Sequence, residues 1–247
     1  MDWIYLSPHP DDAALSCGGL IARQVRAGIP VQIWTICAGE PPEAPLSPFA
    51  EQLHARWEAG PAAIAQRRRE DRDSAEVLNA GIRHFPIPDC IYRRSPEDGM
   101  PLYTTEESLT GPIHLDEVTL VQELASMFST DLPPLTVLVS PLALGGHVDH
   151  RLVRAAAESL SRPLWYYPDY PYAVRYPEDL KALREARWVG VRYPIEGPDL
   201  SAWQASVAAH RSQISTFWPD LAVMQADLAA YRDSMGGIRL WRPLPVV

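Results

Sequence analysis

The chain has 247 residues, 47% of them hydrophobic and 21% charged, which excludes a disordered protein and fits one large domain. A net charge of −9, without a basic stripe, excludes a typical nucleic-acid-binding protein. Three cysteines without CxxC spacing, no apolar run of about 18 residues and no leader pattern predict a cytoplasmic protein without disulfides or membrane spans.

The first 36 residues predict a strand, a helix and a second strand. Residues 3–6 are a short apolar run that stops at Ser-Pro-His-Pro, as a buried strand would. An apolar stripe with helical spacing follows, formed by Cys17, Leu20, Ile21 and Val25. Residues 31–36 predict the next strand. Because a helix connects the two strands, we expect them to lie parallel in one sheet.

Helices and strands continue to alternate along the chain. Residues 38–61 and 93–114 are irregular and predict long loop insertions, the first of them a candidate lid or binding loop. The other predicted helices are at 62–78, at 118–128, after residue 150 up to about 160, at 203–217 and at 221–231. The other predicted strands are at 136–139, 164–167 and 188–191. The pattern predicts an α/β fold with a mostly parallel sheet flanked by helices. We expect a single domain over 1–247, with a core at about 1–170 and a C-terminal extension at about 171–247.

Two polar motifs stand directly after predicted strands. Residues 7–12 are Ser-Pro-His-Pro-Asp-Asp, and residues 145–150 are Gly-Gly-His-Val-Asp-His. In open parallel α/β sheets, ligands bind outside the carboxyl ends of the strands, so the two motifs can meet at one edge. Helix capping or core packing would explain either motif by itself. Together, the two motifs instead predict a metal site.

The residue types of these motifs suit a catalytic zinc ion, which takes three protein ligands and leaves one position open. His9 and Asp12 are three residues apart in a tight turn, so both can face one point. A histidine of the second motif would complete the set. Asp11 would then lie beside the metal and act as the general base for water.

The second motif offers two histidines, His147 and His150. One would bind the metal, while the other would donate a proton or stabilise the oxyanion; the spacing does not choose between them. Asp149 is predicted to fix the tautomer of the histidine that does not bind. In either assignment, the metal would acidify water and polarise a carbonyl oxygen.

These motifs resemble those of the LmbE-like (PIG-L) N-acetylglucosaminyl deacetylases. That family carries a His-Pro-Asp-Asp box near its N-terminus and a His-x-Asp-His box in its second half, matched here by residues 9–12 and 147–150. Residues 16–19 (Ser-Cys-Gly-Gly) and the arginine-rich run 67–71 match more weakly. The resemblance implies a Rossmann-like fold and zinc-dependent hydrolysis of a small-molecule substrate, an N-acyl amino sugar.

The resemblance also implies the roles of individual residues. Zinc, or another divalent metal, would be held by His9, Asp12 and His150. Asp11 would be the base, and His147 the acid or the oxyanion stabiliser. Arg67, from the middle helix, would contact the substrate.

The sequence departs from the family pattern in two places. Ala13 stands where many members have glutamate, which would remove a carboxylate from behind the metal. Residues 166–172 (Tyr-Tyr-Pro-Asp-Tyr-Pro-Tyr) differ from the better-known sugar deacetylases, which leaves the substrate less defined than the chemistry. Two alternatives stay open: an amidase for a larger acyl or thiol conjugate, and a non-catalytic sugar- or nucleotide-binding module.

Four other features have a structural explanation beside a functional one. His210 lies on an apolar helical stripe and is expected to be a hydrogen-bonded core histidine. His54 and Trp57 would shape a substrate pocket or pack within their own loop. The aromatic residues within 166–172 would stack on a sugar ring or form a turn. Cys17 is expected to be buried packing and not a metal ligand.

Overall fold

The strands lie side by side in one mostly parallel sheet. The structure is a computed structural model that describes residues 1–56 and 62–244. The strands in these residues are β1 (Trp3–Ser7), β2 (Val31–Thr35), β3 (Gly81–His84), β4 (Val137–Pro141), β5 (Leu164–Tyr167), β6 (Trp188–Tyr193) and β7 (Ile238–Pro243). Their order is β3-β2-β1-β4-β5-β7-β6. The first five in chain order pair in parallel, whereas β7 runs antiparallel to β5 and β6.

The central strand β1 is covered on both faces. Tyr5 stands opposite Ile33 of β2 and Val139 of β4. Ile4, Tyr5 and Leu6 are fully buried. Since successive side chains of a strand point to opposite faces, this burial requires packing on both sides of the sheet. The near-continuous apolar sequence of β1 follows from that position.

Helices connect and flank these strands. They are α1 (Asp12–Arg26), α2 (Pro48–Arg56), α3 (Ala63–Val77), α4 (Val118–Asp131), α5 (Val148–Glu158), α6 (Tyr172–Arg175), α7 (Pro177–Glu185), α8 (Gly197–Ala209), α9 (Arg211–Phe217) and α10 (Leu221–Met235). In the described ranges, no helix is long and apolar enough to cross a membrane. A cytoplasmic location stays a prediction.

Helix α1 is held in place by close packing against α8. Gly18 and Gly19 face the indole ring of Trp203, and a Cβ atom added at Gly18 would lie 2.5 Å from Cδ1 of that ring. The ring cannot easily move away, because its Nε1–H donates a hydrogen bond to the carbonyl of Ala14 at 2.8 Å. The glycines therefore permit a helix contact that fixes the start of α1, where Asp12 lies.

The predicted elements are found with small changes at their ends, and three features differ. The stripe at 203–217 is not one helix, because the backbone leaves helical geometry at His210 (φ −79°, ψ 59°) and divides it into α8 and α9. The predicted loop 38–61 contains α2, while residues 57–61, including Trp57, lie outside the described residues. The short strand β3 was not predicted, since it alternates exposed and half-buried residues beginning at a glycine.

The C-terminal part of the chain extends the same sheet. β7 pairs with β5 and β6 pairs with β7, so the predicted extension at 171–247 adds two strands beside the parallel core. Helix α9 is anchored to α3, where the Glu70 carboxylate accepts hydrogen bonds from the backbone N–H and the hydroxyl of Ser212. This contact brings the end of α9 towards the carboxyl ends of the strands.

Candidate metal centre and active site

Two loops meet at the point where the strand order reverses. Residues 8–11 join β1 to α1, and residues 142–147 join β4 to α5; β1 and β4 are neighbours in the sheet. In the first loop, the Ser7 hydroxyl donates to the carbonyl of His9 at 2.7 Å and accepts the backbone N–H of Ala13 at 3.0 Å. Asp11 has a φ of 133°, a region that L-residues rarely adopt. Such strain is typical of sites where the position of a side chain matters.

Three donor atoms from these loops converge. Oδ2 of Asp12 lies 3.2 Å from Nδ1 of His9 and 3.3 Å from Nε2 of His150. Ligands of a tetrahedral zinc ion at bond lengths of about 2.1 Å lie about 3.4 Å apart, so these separations suit adjacent ligands of one ion. The set predicted from the sequence motifs is therefore brought together.

Each of the two histidines is held on its other nitrogen by a buried carboxylate. Nε2 of His9 lies 2.9 Å from Oδ2 of Asp149, and Nδ1 of His150 lies 2.6 Å from Oδ1 of Asp169. Metal-binding histidines are commonly held in this way, because the carboxylate fixes the ring and its tautomer. The donor atoms of His9, Asp12 and His150 thus fit a divalent metal. The contact between His150 and Asp169 favours His150 over His147 as the ligand.

Asp149 differs from its predicted role. Its side chain is fully buried, and its carboxylate contacts His9 instead of His147. The reason is the start of α5, where Nδ1 of His147 accepts the backbone N–H of Asp149 at 3.2 Å and caps the helix. The backbone of Asp149, and not its carboxylate, therefore sets the tautomer of His147 and leaves the proton on Nε2.

His147 stands next to both candidate ligands. Its ring centre lies 5.0 Å from that of His9 and 5.4 Å from that of His150. Burial, together with the neighbouring His9, lowers the pKa of His147 to about 4. A neutral imidazole with its proton on Nε2 is suited to donating a hydrogen bond to a substrate oxygen.

Asp11 has the environment of a general base. Burial raises the pKa of its carboxyl to about 7, against the lowering effect of Arg67. Nη2 of Arg67 lies 3.5 Å from Oδ2 of Asp11 and donates to the carbonyl of Pro10 at 3.3 Å. Arg67, predicted to contact the substrate, is thus buried against the base at the edge of the site.

A cavity of about 240 Å³ opens above these residues. It is lined by the candidate ligands, by Asp11 and Arg67, and by residues of α2, α6 and α9. Tyr172 and Phe217 supply aromatic surface, and Arg56 and Glu106 pair at 2.8 Å on its exposed side. The lid role of the 38–61 loop stays a prediction.

Three groups of donor atoms in the described residues lie within 4.8 Å of one another. They are His9 with His147 and His150, His9 with Cys37 and Asp149, and Cys90 with His147 and Asp149. Burial raises the pKa of both thiols, whereas a metal binds the thiolate. Among the described residues that line the cavity there is no cysteine. The two groups with cysteine therefore suit a catalytic metal less well. The all-histidine group contains His9 and His150 and shares the opening with Asp12.

The sequence motifs do not include three charged residues of this site. Asp169 follows β5, Asp89 follows β3 with its Oδ2 3.6 Å from Nε2 of His9, and Arg93 contacts Asp149. Asp169 could have been found by the rule that located the motifs, since it comes shortly after the predicted strand at 164–167, whereas Asp89 follows a strand that was not predicted.

Of the other candidate residues, some lie outside the site and some reach it. Cys17 is fully buried in the core, as expected. His54 contacts the Tyr92 hydroxyl from α2. His210 is buried as predicted, but among the described residues no hydrogen-bond partner is found for its Nε2. Within 166–172, Tyr172 reaches the cavity edge-on to His150, whereas Tyr166 packs against Trp188.

A family profile matches the part of the chain that carries both motifs. The profile is that of the GlcNAc-PI de-N-acetylase (PIG-L) family, and it covers residues 4–161. The chain belongs to this family. The predicted membership is therefore confirmed over more than half of the chain.

Several proteins that this chain resembles are deacetylases by name. The 2'-N-acetylparomamine deacetylase of Streptomyces fradiae is 33% identical over 211 residues, 80% of this chain and 67% of that protein. The zinc-inhibited form of teicoplanin deacetylase Orf2 superposes with a TM-score of 0.78 at 25% identity, over 98% of this chain and 97% of that one. The A40926 pseudoaglycone deacetylase Dbv21 gives a TM-score of 0.72 at 27% identity, over 97% and 95%.

These comparisons confirm the predicted α/β fold and N-deacetylation as the class of activity. A non-catalytic binding module is not supported. The zinc-inhibited relative and the donor atoms here point to a divalent metal. Zinc as that metal, and the role of each site residue, stay predictions.

Proposed function

We propose that this PIG-L protein is a zinc-dependent hydrolase that removes the acetyl group from an N-acetyl amino sugar of a glycosylated small molecule. The observation that carries the proposal is the approach of Nδ1 of His9 and Nε2 of His150 to the carboxylate of Asp12, beside the buried Asp11. No purely structural role requires three donor atoms and an extra carboxylate at one opening.

His9, Asp12 and His150 would hold the metal. When bound, a divalent ion supplies Lewis acidity, which polarises the amide carbonyl and acidifies water. Asp149 and Asp169 keep the two imidazoles turned towards Asp12. This arrangement limits the reorganisation that binding requires, because both rings are already oriented.

Asp11 would take a proton from the attacking water. Its pKa near 7 allows it to be unprotonated at the start and to hold the proton afterwards. Water oxygen bonds to the acyl carbon, the C–N bond breaks, and the proton held by Asp11 passes to the departing nitrogen. The products are acetate and the free amino sugar.

His147 would stabilise the negative charge that develops on the acyl oxygen. Its Nδ1 accepts the N–H of Asp149, so its single proton is on Nε2 and is available for donation. A role as general acid would require a second proton on Nδ1 of His147. Nδ1 already accepts the backbone N–H of Asp149, which opposes that protonation. Of the two roles predicted for His147, we therefore assign the oxyanion role.

The substrate class follows from the relatives and the cavity. The relatives named above act on N-acetylparomamine and on teicoplanin, as their names state. A cavity of about 240 Å³ with aromatic side chains at its rim suits one sugar ring, with the remainder of the substrate outside. We propose an aminoglycoside- or glycopeptide-type compound that carries an N-acetylated sugar.

The proposal is tested by an acetate-release assay on protein freed of metal and then supplied with zinc. Substrates are an N-acetylated aminoglycoside, an N-acetylglucosaminyl glycopeptide and the matched N-octanoyl compounds. We expect acetyl release that depends on zinc and little release of octanoate. Full activity in the metal-free protein would exclude the proposed chemistry, and preference for octanoyl compounds would favour the amidase alternative.

A further inference from the structure

The long connection between β3 and α4 reaches the back of the candidate metal centre through Arg93. Nη1 of Arg93 lies 2.5 Å from Oδ1 of Asp149. The other carboxylate oxygen, Oδ2, faces Nε2 of His9 at 2.9 Å and accepts the backbone N–H of Cys90 at 3.1 Å. Asp149 thus stands between a fixed guanidinium and a candidate metal ligand.

Arg93 is itself held on several sides. Its Nε pairs with the Glu117 carboxylate, and its Nη1 donates to the carbonyl of Pro88 at 3.2 Å. The Tyr103 hydroxyl donates to the other oxygen of Glu117. The side chains of Arg93 and Glu117 are 6% and 3% exposed, so this chain of charged contacts is shielded from water. A planar guanidinium in such a setting has little rotational freedom.

We propose that Arg93 is a positioning residue of the metal centre. Through an ion pair with Oδ1 of Asp149, an oxygen that has no hydrogen-bond partner among the described residues, it keeps Oδ2 directed at His9, which in turn keeps Nδ1 of His9 facing Asp12. The inference rests on the proposed function, because it requires that His9 binds the metal. It assigns to the β3–α4 connection a part in metal binding that neither sequence motif contains.

The physical reason lies in the cost of an unpaired buried charge. Without Arg93, the carboxylates of Asp149 and Glu117 would be buried together without their shared cation. Asp149 would turn away from its present position, and His9 would lose its fixed orientation. Loss of such outer partners lowers metal affinity by about 10- to 100-fold in other metalloproteins.

The simpler alternative is an ion pair that only fastens the connection to α5. Zinc affinity separates the two explanations, since a fastening role changes stability and leaves the metal site of the folded protein intact. The variants are Arg93→Gln and Arg93→Lys, with Arg94→Gln as the matched control. Arg94 is the next residue along the chain. Within residues 1–56 and 62–244, its guanidinium donates hydrogen bonds only to the carbonyls of Gly99 and Pro45.

Zinc dissociation constants are measured by competition with a chelator on the full-length protein, alongside urea unfolding. We expect affinity to fall about 10- to 100-fold in Arg93→Gln and by less in Arg93→Lys, with Arg94→Gln unchanged. In zinc-loaded protein labelled with ¹⁵N-histidine, the Nε2 resonance of His9 should shift in Arg93→Gln, while that of His150 should not.

A folded Arg93→Gln variant with wild-type zinc affinity and an unchanged His9 resonance would overturn the inference. If Arg93→Gln does not fold, Arg93→Lys provides the test, because lysine keeps the positive charge but lacks the planar guanidinium. Wild-type zinc affinity in Arg93→Lys would also overturn the inference. A wild-type protein that binds no zinc would instead remove the proposed metal centre, and with it the role of Arg93.

Discussion

The guanidinium of Arg67 lies 3.5 Å from the carboxylate of Asp11, and the two side chains are buried together at the rim of the candidate metal centre. Burial raises the pKa of Asp11 and Arg67 lowers it, so the basicity of this carboxylate is a balance of opposing effects. Four predictions follow from this geometry and from the packing that supports it.

Replacing Asp11 by Asn should abolish most hydrolysis without removing the metal. Asn keeps the shape of the side chain but cannot accept the proton, and general bases contribute about 10²- to 10⁴-fold to rates. Zinc content should stay at that of the wild type, because Asp12 is the ligand of this pair. The measurements are kcat/KM and elemental analysis, with Asp73→Asn, an exposed position on α3, as control. An Asp11→Asn variant with near-normal kcat/KM would show that another group is the base.

Replacing Arg67 by Gln should shift the pH dependence of the reaction. The positive charge of Arg67 lowers the pKa of Asp11, so its removal raises that pKa. Since the base acts unprotonated, activity rises with pH through its pKa, and this acidic limb should move to higher pH in the variant. Profiles of kcat/KM against pH check the shift, with the exposed Arg69→Gln as control. A limb that stays in place would mean that Arg67 does not act on the base.

The two histidines of the second motif should behave differently on replacement by Ala. His150→Ala removes a candidate ligand and should lose most of the zinc. His147→Ala should keep the zinc and lose about 10²- to 10³-fold in kcat, the usual effect of losing an oxyanion donor. Zinc analysis of the two purified variants distinguishes them. The reverse pattern, with zinc lost only in His147→Ala, would exchange the two assignments.

Replacing Gly18 by Ala should destabilise the fold. The added methyl would meet the ring of Trp203 at 2.5 Å, and overpacking of this kind costs about 1–3 kcal/mol in the free energy of unfolding. Gly197→Ala in α8 is the control, because an added Cβ there meets nothing within 4 Å. Urea unfolding measures both. Equal stability of Gly18→Ala and wild type would contradict the close contact between α1 and α8.

Much of the fold and the two motifs could be predicted from the sequence, because local patterns carry them. β1, α1 and β2 show their apolar runs and spacing directly, and the motifs follow strand ends. β3 could not be predicted, since it is short and half-exposed and exists because β2 offers it a partner edge. The break at His210 depends on tertiary packing in a similar way. Helix α9 begins beside Glu70 of α3, whose carboxylate accepts the backbone N–H of Ser212.

The supporting charges of the site depend on tertiary structure. Asp169 and Arg93 are 19 and 56 residues from their partners His150 and Asp149 along the chain, so no spacing rule connects them. The contact of Asp149 with His9 was missed for the same reason, because the histidines of its own motif are His147 and His150 and His9 lies 140 residues away along the chain. Such pairs become visible only when the strand order is known.

The most direct test of the metal centre is the position of zinc in crystals of the loaded protein, located by anomalous scattering at the zinc edge. The account predicts one strong peak bonded to Nδ1 of His9, one carboxylate oxygen of Asp12 and Nε2 of His150, at bond lengths of about 2.0–2.2 Å. A peak bonded to Cys37 or Cys90, or one that excludes Asp12, would contradict it.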